Sequence, residues 1–230
     1  MFVQPHSRLS RRLSSIFILA VLVFVAGLDS VNADEIAVWN FNDSDLVVDH
    51  GVGTLTSNIV VTNIQFGAGT TNNARLGDLA GQALSLQGGT GTTNNGRNIT
   101  INVSTVGFAN IVFSFATQGT GTGFNSNQLQ YSLDGINFID FGSPYVPAAA
   151  FGSVPIVFTL TSIVGLNNNP NAAFRIVFNG ATSSTGNNRI DNVVVEGTST
   201  TIPEPTTAVL LFTGLTGLLG LKRKRRKAAS

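Results

Sequence analysis

The tetrad Asn42-Asp43-Ser44-Asp45 puts hard oxygen ligands within four positions, which is the chemistry calcium selects. Leu46-Val47 follow directly and break the spacing of an EF-hand loop. Nucleophilic catalysis has fewer candidates. His50 is the only histidine after position 6, it stands beside Asp49, and no G-x-S-x-G string accompanies it. Asp49-His50-Gly51 therefore reads as a turn. Glycoside hydrolysis needs two carboxylates facing each other across a cleft. Asp43, Asp45, Asp134, Asp140, Asp191 and Glu196 are available, and each has a simpler structural use. Asp134-Gly135 makes a turn, and Asp191 opens the last strand beside Arg189. No catalytic residue, metal ligand or cofactor is assigned on this basis. The chain has no cysteine, which excludes disulfides, thiolate metal sites and cysteine catalysis. Among the aromatics, Trp39 alternates with Ala37 and Phe41 as a core anchor. Tyr131 falls on an apolar strand face. Tyr145 lies between Pro144 and Pro147 in a loop, where it could touch a ligand.

Those residues sit in a middle segment of unusual charge. Between positions 34 and 202 there are four arginines (75, 97, 175 and 189), no lysine and ten acids, a balance of −6. A nucleic-acid binder needs a basic stripe, and none is present. The formal charge of +1 for the whole chain arises only because Arg8, Arg11, Arg12 and the run 222–227 lie at the ends.

The elements that must position the middle residues are strands. Apolar residues alternate with period 2 in 35–41, 58–64, 98–103, 110–117, 128–133, 136–141, 154–160, 173–178 and 189–196. Gly, Asn, Thr and Ser clusters between them read as loops. Asp134-Gly135 is the strongest hairpin signal. Nine or more strands in about 169 residues predict one all-β domain, a two-sheet jelly-roll-like sandwich. The GTTNN string at 69–73 recurs at 91–95 without repeating flanks, so it is loop composition rather than a repeat.

Both ends read as address labels. Basic residues, the apolar run 16–25 and Val31-Asn32-Ala33 form a signal peptide over 1–33, with cleavage expected between Ala33 and Asp34. The β-sandwich domain is then assigned to 34–197 and a polar linker to 198–202. The triplet Pro203-Glu204-Pro205 follows, then an apolar stretch to Leu221 and the basic cluster 222–227. Fourteen residues from Ala208 make a helix of about 21 Å, a short transmembrane helix against a hydrocarbon core of ~30 Å. The basic cluster would stay cytoplasmic.

In order, spacing and terminal position, residues 203–227 resemble the PEP-CTERM sorting signal of bacterial exported proteins. The same tail also carries a label derived from ice-binding proteins, which describes the tail and not the domain. The resemblance implies an exosortase as processing partner and a membrane-anchored precursor. It also implies a destination at the cell envelope, the cell surface or an extracellular matrix rich in polysaccharide. AVWNFND at the start of the domain, TGTGF with LQYSLDGINF in its middle and NNRIDNVVVEG at its end are similar to a jelly-roll β-sandwich of exported bacterial proteins. In lectin-like jelly-rolls a calcium ion joins the opening segment to an acid on the last strand, which would pair Asp43 or Asp45 with Asp191. These readings predict a non-enzymatic, exported protein with a structural, adhesive or carbohydrate-associated role. The alternatives are a hydrolase of matrix polysaccharide and a calcium-dependent glycan-binding module.

Overall fold

A computed structural model describes residues 33–200, and within them twelve strands form two antiparallel sheets. The larger sheet runs β10 (Ile156–Thr159), β7 (Phe108–Gly119), β12 (Asn187–Ser199), β1 (Ala33–Trp39), β2 (His50–Gly51). Beside the first half of β12 lie β5 (Gln82–Gln87) and then β4 (Ile64–Ala68). The smaller sheet runs β3 (Thr54–Ser57), β6 (Asn98–Asn102), β11 (Ala173–Val177), β8 (Asn127–Ser132), β9 (Phe138–Tyr145).

Period-2 alternation turns one face of each sheet inward, and the two inner faces make the core. Phe113 and Phe115 of β7, Ile190, Val193 and Val195 of β12, and Trp39 line the larger sheet's inner face. Ile99, Ile101, Leu129, Phe174 and Ile176 oppose them from the smaller sheet. Phe113 and Phe174 meet across the sandwich, with ring centroids 5.2 Å apart and planes 16° from parallel.

Most of the predicted strands are present with shifted ends, and Asp134-Gly135 does join β8 to β9, with Gly135 at φ +75°. The expected strand at 58–64 is not formed. Residues 61–63 make one turn of 3₁₀ helix, and the strand begins at Ile64. The reason is tertiary: the Val60 N–H donates to Asn94 Oδ1 rather than to a strand, and Asn58 Oδ1 accepts the Asn98 N–H. Strand β5 had no readable period, because Ala83, Leu84, Ser85 and Leu86 are all buried. Ala33 and Asp34, the expected cleavage pair, are exposed at the start of β1 opposite Thr198 and Gly197. Strand β12 continues to Ser199, two residues into the segment read as a linker. The signal peptide before Ala33, the triplet Pro203-Glu204-Pro205, the apolar helix and the basic tail lie outside the described residues.

Candidate functional site

The two sheets have very different outer faces. Val38, Val194 and Ser114 point away from the core of the larger sheet, yet they are buried. The segment 69–81 lies over them as a strap, and a bulge in β12 holds it. At that bulge β12 exchanges β5 for β1 as its neighbour, and Asn192 adopts φ +49°. The buried Asp191 accepts the Thr70 N–H at 2.7 Å and the Asn192 N–H at 2.9 Å. The Asn192 amide donates to the carbonyls of Thr70 and Asn72, while Asn73 donates to Ser114 Oγ and the Asn192 carbonyl. Gly69 has no room for a side chain, since a methyl group there would strike the Ala80 carbonyl and Asp191 Oδ2. Further along, Arg75 ion-pairs Glu35 at 2.7 Å and contacts His50 Nδ1 at 2.9 Å. Asn42 closes the strap by donating to the Leu79 carbonyl and accepting the Gln82 N–H. Burial raises the Asp191 pKa to about 7 against the two amide hydrogen bonds that lower it. Among the described residues no cation pairs with it.

The sequence candidates are dispersed. Asp43 and Asp45 do not meet Asp191, so the expected calcium pairing is not made. Asp43 is exposed and its electrostatic neighbour is Asp49, while Asp45 accepts the Val47 N–H of its own turn. Both oxygens of Asp191 are taken by backbone amides of the strap and bulge. No three His, Asp or Glu side chains gather among the described residues. His50 forms a short bridge to Val38 of β1, and Asp49 accepts the Asn40 N–H at 2.7 Å. Asp134 is fully exposed and ties its own turn together, accepting from the Asn137 backbone and side chain, Ile136 and Ser132. Those bonds, the Asn137 backbone first, hold its carboxyl well below the usual range. Glu196 stands opposite Glu35 in the β1–β12 ladder, and burial first and Glu35 second raise its pKa. Tyr145 is not a loop residue free to touch a ligand. It ends β9, its ring lies 5.7 Å from Phe115 and 6.1 Å from Phe158, and burial raises its hydroxyl pKa beside Asn127. Trp39 is wholly buried, as a core anchor should be.

The smaller sheet presents a different outer face. Its register aligns Thr56, Thr100, Arg175, Gln130 and Asp140 in one row across all five strands. Their side chains alternate with the buried Leu55, Ile99, Ile101, Phe174, Ile176 and Leu129, so they point outward. Arg175 Nε donates to Thr100 Oγ1 at 3.1 Å, and Gln130 Nε2 donates to Asp140 Oδ1 at 2.8 Å. The guanidinium lies on the ring of Phe138, 3.4 Å from its centroid. The next row carries Thr54 and Asn102, which are hydrogen-bonded to each other at 3.4 Å. At that end an open cleft of ≈ 330 Å³ is lined by Val52, Thr54, Asn102, Asp134, Pro170 and Asn171. Reading single residues missed this face. The signal was present in QLQYS and AFRIV, where the residues between the apolar ones are Gln130 and Arg175.

No protein-family model matches the chain, and no curated protein matches it. Solved structures with a similar path exist. The domain TmCBM61, solved with β-1,4-galactotriose, is 9% identical over 68% of this chain and 92% of its own, with a TM-score of 0.39. Domain 4 of AbnA, an extracellular arabinanase of Geobacillus stearothermophilus, was solved with arabinotriose. It is 15% identical over 73% and 94%, with a TM-score of 0.43. The CBM22-1 xylan-binding domain of Paenibacillus barcinonensis Xyn10C is 9% identical over 74% and 99%, with a TM-score of 0.44. At these levels the ligand of the present chain has to be read from its own surface. That surface comprises one strapped sheet face and one sheet face bearing an ordered row of hydrogen-bonding side chains.

Proposed function

We propose that this is an exported, non-enzymatic β-sandwich that binds extracellular polysaccharide through the outer face of its smaller sheet. The observation that carries the reading is the in-register row Thr56, Thr100, Arg175, Gln130 and Asp140. A row across five strands spans about 19 Å at a spacing of ~4.8 Å. It offers hydroxyl, amide, guanidinium and carboxylate groups, the donors and acceptors that pair with sugar hydroxyls. Titration of the purified protein with galactan, arabinan, xylan, dextran and uronate-containing polymers tests it. At least one is expected to bind, and Gln130→Ala and Thr100→Ala are each expected to weaken that binding about tenfold, the loss of one to two hydrogen bonds. Absence of binding to every polymer, or binding indifferent to both variants, overturns the reading.

Export and sorting belong to the same proposal and rest on the two ends of the sequence. The signal peptide would be cut between Ala33 and Asp34, and an exosortase would act near Pro203-Glu204-Pro205. The membrane-anchored precursor would then become a surface or matrix protein. The intact mass of the native protein is expected to fit a chain starting at Asp34 and ending near the triplet. A membrane-bound form that still carries 208–230 as the only species would leave a plain tail anchor instead.

A further inference from the structure

We propose that the Arg175 position of the sheet face takes a sugar carboxylate, so that the polysaccharide carries uronic acid or an equivalent acid among neutral sugars. This rests on the sheet-face reading above and specifies its ligand. Four arginines lie among the described residues, and three have one terminal nitrogen committed. Arg75 meets His50 and Glu35, Arg97 donates to the Asn58 carbonyl, and Arg189 donates to the Ala68 carbonyl. Arg175 differs. Its Nε is held by Thr100 and its flat face by Phe138, so the plane of the guanidinium is fixed. Its two terminal nitrogens have no hydrogen-bond or ion-pair partner among the described residues. A fixed guanidinium with both outer nitrogens open matches a carboxylate by two parallel, charge-assisted hydrogen bonds, about twice as strong as those it would make to a pair of neutral sugar hydroxyls. Partial burial also lowers the pKa of this group, a sign that water solvates it less than an exposed arginine, which strengthens a charge pair made there.

The nearest acid in the row does not neutralise it. Asp140 makes no ion pair with it, and Gln130 stands between them in the row with its amide on the Asp140 carboxylate. The balance of −6 limits the ligand: it suits isolated carboxylates and disfavours a continuous polyacid.

The test compares acidic polymers with their own carboxyl-reduced forms, which differ only in that group. Gellan, xanthan, partly methyl-esterified pectin and hyaluronan serve as probes, with the neutral polymers above alongside. The unmodified protein is expected to bind at least one native acidic polymer tenfold or more tighter than its reduced form. Arg175→Gln should bring that ratio near one, and Arg175→Lys should restore only part of it, since lysine keeps the charge without the fork. Thermal melts show that the variants are folded. Equal binding to native and reduced polymers, or a preference that survives Arg175→Gln, overturns the inference while losses from Gln130→Ala and Thr100→Ala keep the sheet-face reading. Failure to bind any polymer removes both.

Discussion

Asp191→Ala is expected to lower the thermal midpoint of the domain by roughly 10 °C. The carboxylate is wholly buried and accepts the backbone N–H groups of Thr70 and Asn192. Removing it leaves two buried donors without acceptors, at about 1–3 kcal/mol each. The strap they anchor covers Val38, Val194 and Ser114, so its release also exposes apolar area. The deficit should depend on pH in a defined direction. Burial puts the folded-state pKa of Asp191 at about 7, against 3.8 for the unconstrained group. The folded protein therefore holds a proton that the unfolded chain releases. The stability this contributes is complete below about pH 4 and is lost as pH rises through 7, with a slope of at most ~1.4 kcal/mol per pH unit. Asp49 and Glu196 are also raised by burial and slope the same way, so the comparison of variant with parent isolates Asp191. Melts of the parent, Asp191→Ala and Asp191→Asn from pH 4 to 8 should show the deficit shrinking as pH rises. A deficit that does not change with pH would mean that Asp191 titrates alike folded and unfolded. Gly69→Ala should damage the same strap and flatten the pH slope as well, because a methyl group there strikes Asp191 Oδ2 and opens the burial that raises its pKa.

The parts of this architecture that were legible in the sequence are those set by local chemistry. The alternation in QLQYS and NITIN places Leu129, Ile99 and Ile101 inward because a strand turns successive side chains to opposite faces. Asp134-Gly135 was readable because its turn satisfies the aspartate within four residues. The strap was not readable. Its anchors, Asp191 to Thr70 and Asn192 to Asn72, span 120 or more positions, and GTTNN looks the same at 69–73, where it is clamped to β12, and at 91–95, where Asn94 and Asn95 bond instead to Val60, Gln87 and Ala181. Asp191 was expected at the start of a strand, and it lies inside one because the bulge lets β12 continue past it. The sheet-face row is a third case. Each member is an unremarkable polar residue in its own strand, and only the register between strands gathers them. Tyr145 was misplaced because proline on either side suggests a loop, whereas an edge strand tolerates Pro144 within it.

Phe174→Ala is expected to cost about 3–5 kcal/mol, a large share of the 5–15 kcal/mol that holds a domain of this kind. Phe174 fills the centre of the sandwich and stacks on Phe113 of the opposite sheet. Cooperation between the two rings should make the double variant with Phe113→Ala less destabilised than the sum of the singles, by roughly 0.5–1.5 kcal/mol. The next residue in β11 is Arg175, whose side chain leaves the opposite side of the same strand. The cavity under Phe174 lies beneath the guanidinium's own backbone, and β11 is bonded on both edges to the strands that carry Thr100 and Gln130. Loss of the ring should therefore weaken glycan binding by loosening the row as a unit, acting equally on acidic and neutral polymers. Arg175→Gln should do the reverse, removing the preference for carboxylate while moving the thermal midpoint by only a few degrees. Measuring both properties on both variants separates a residue that builds the face from one that reads the ligand. If Phe174→Ala left binding untouched while lowering the midpoint, the row would owe its alignment to the strand ladder alone. The core behind it would then have no part in recognition.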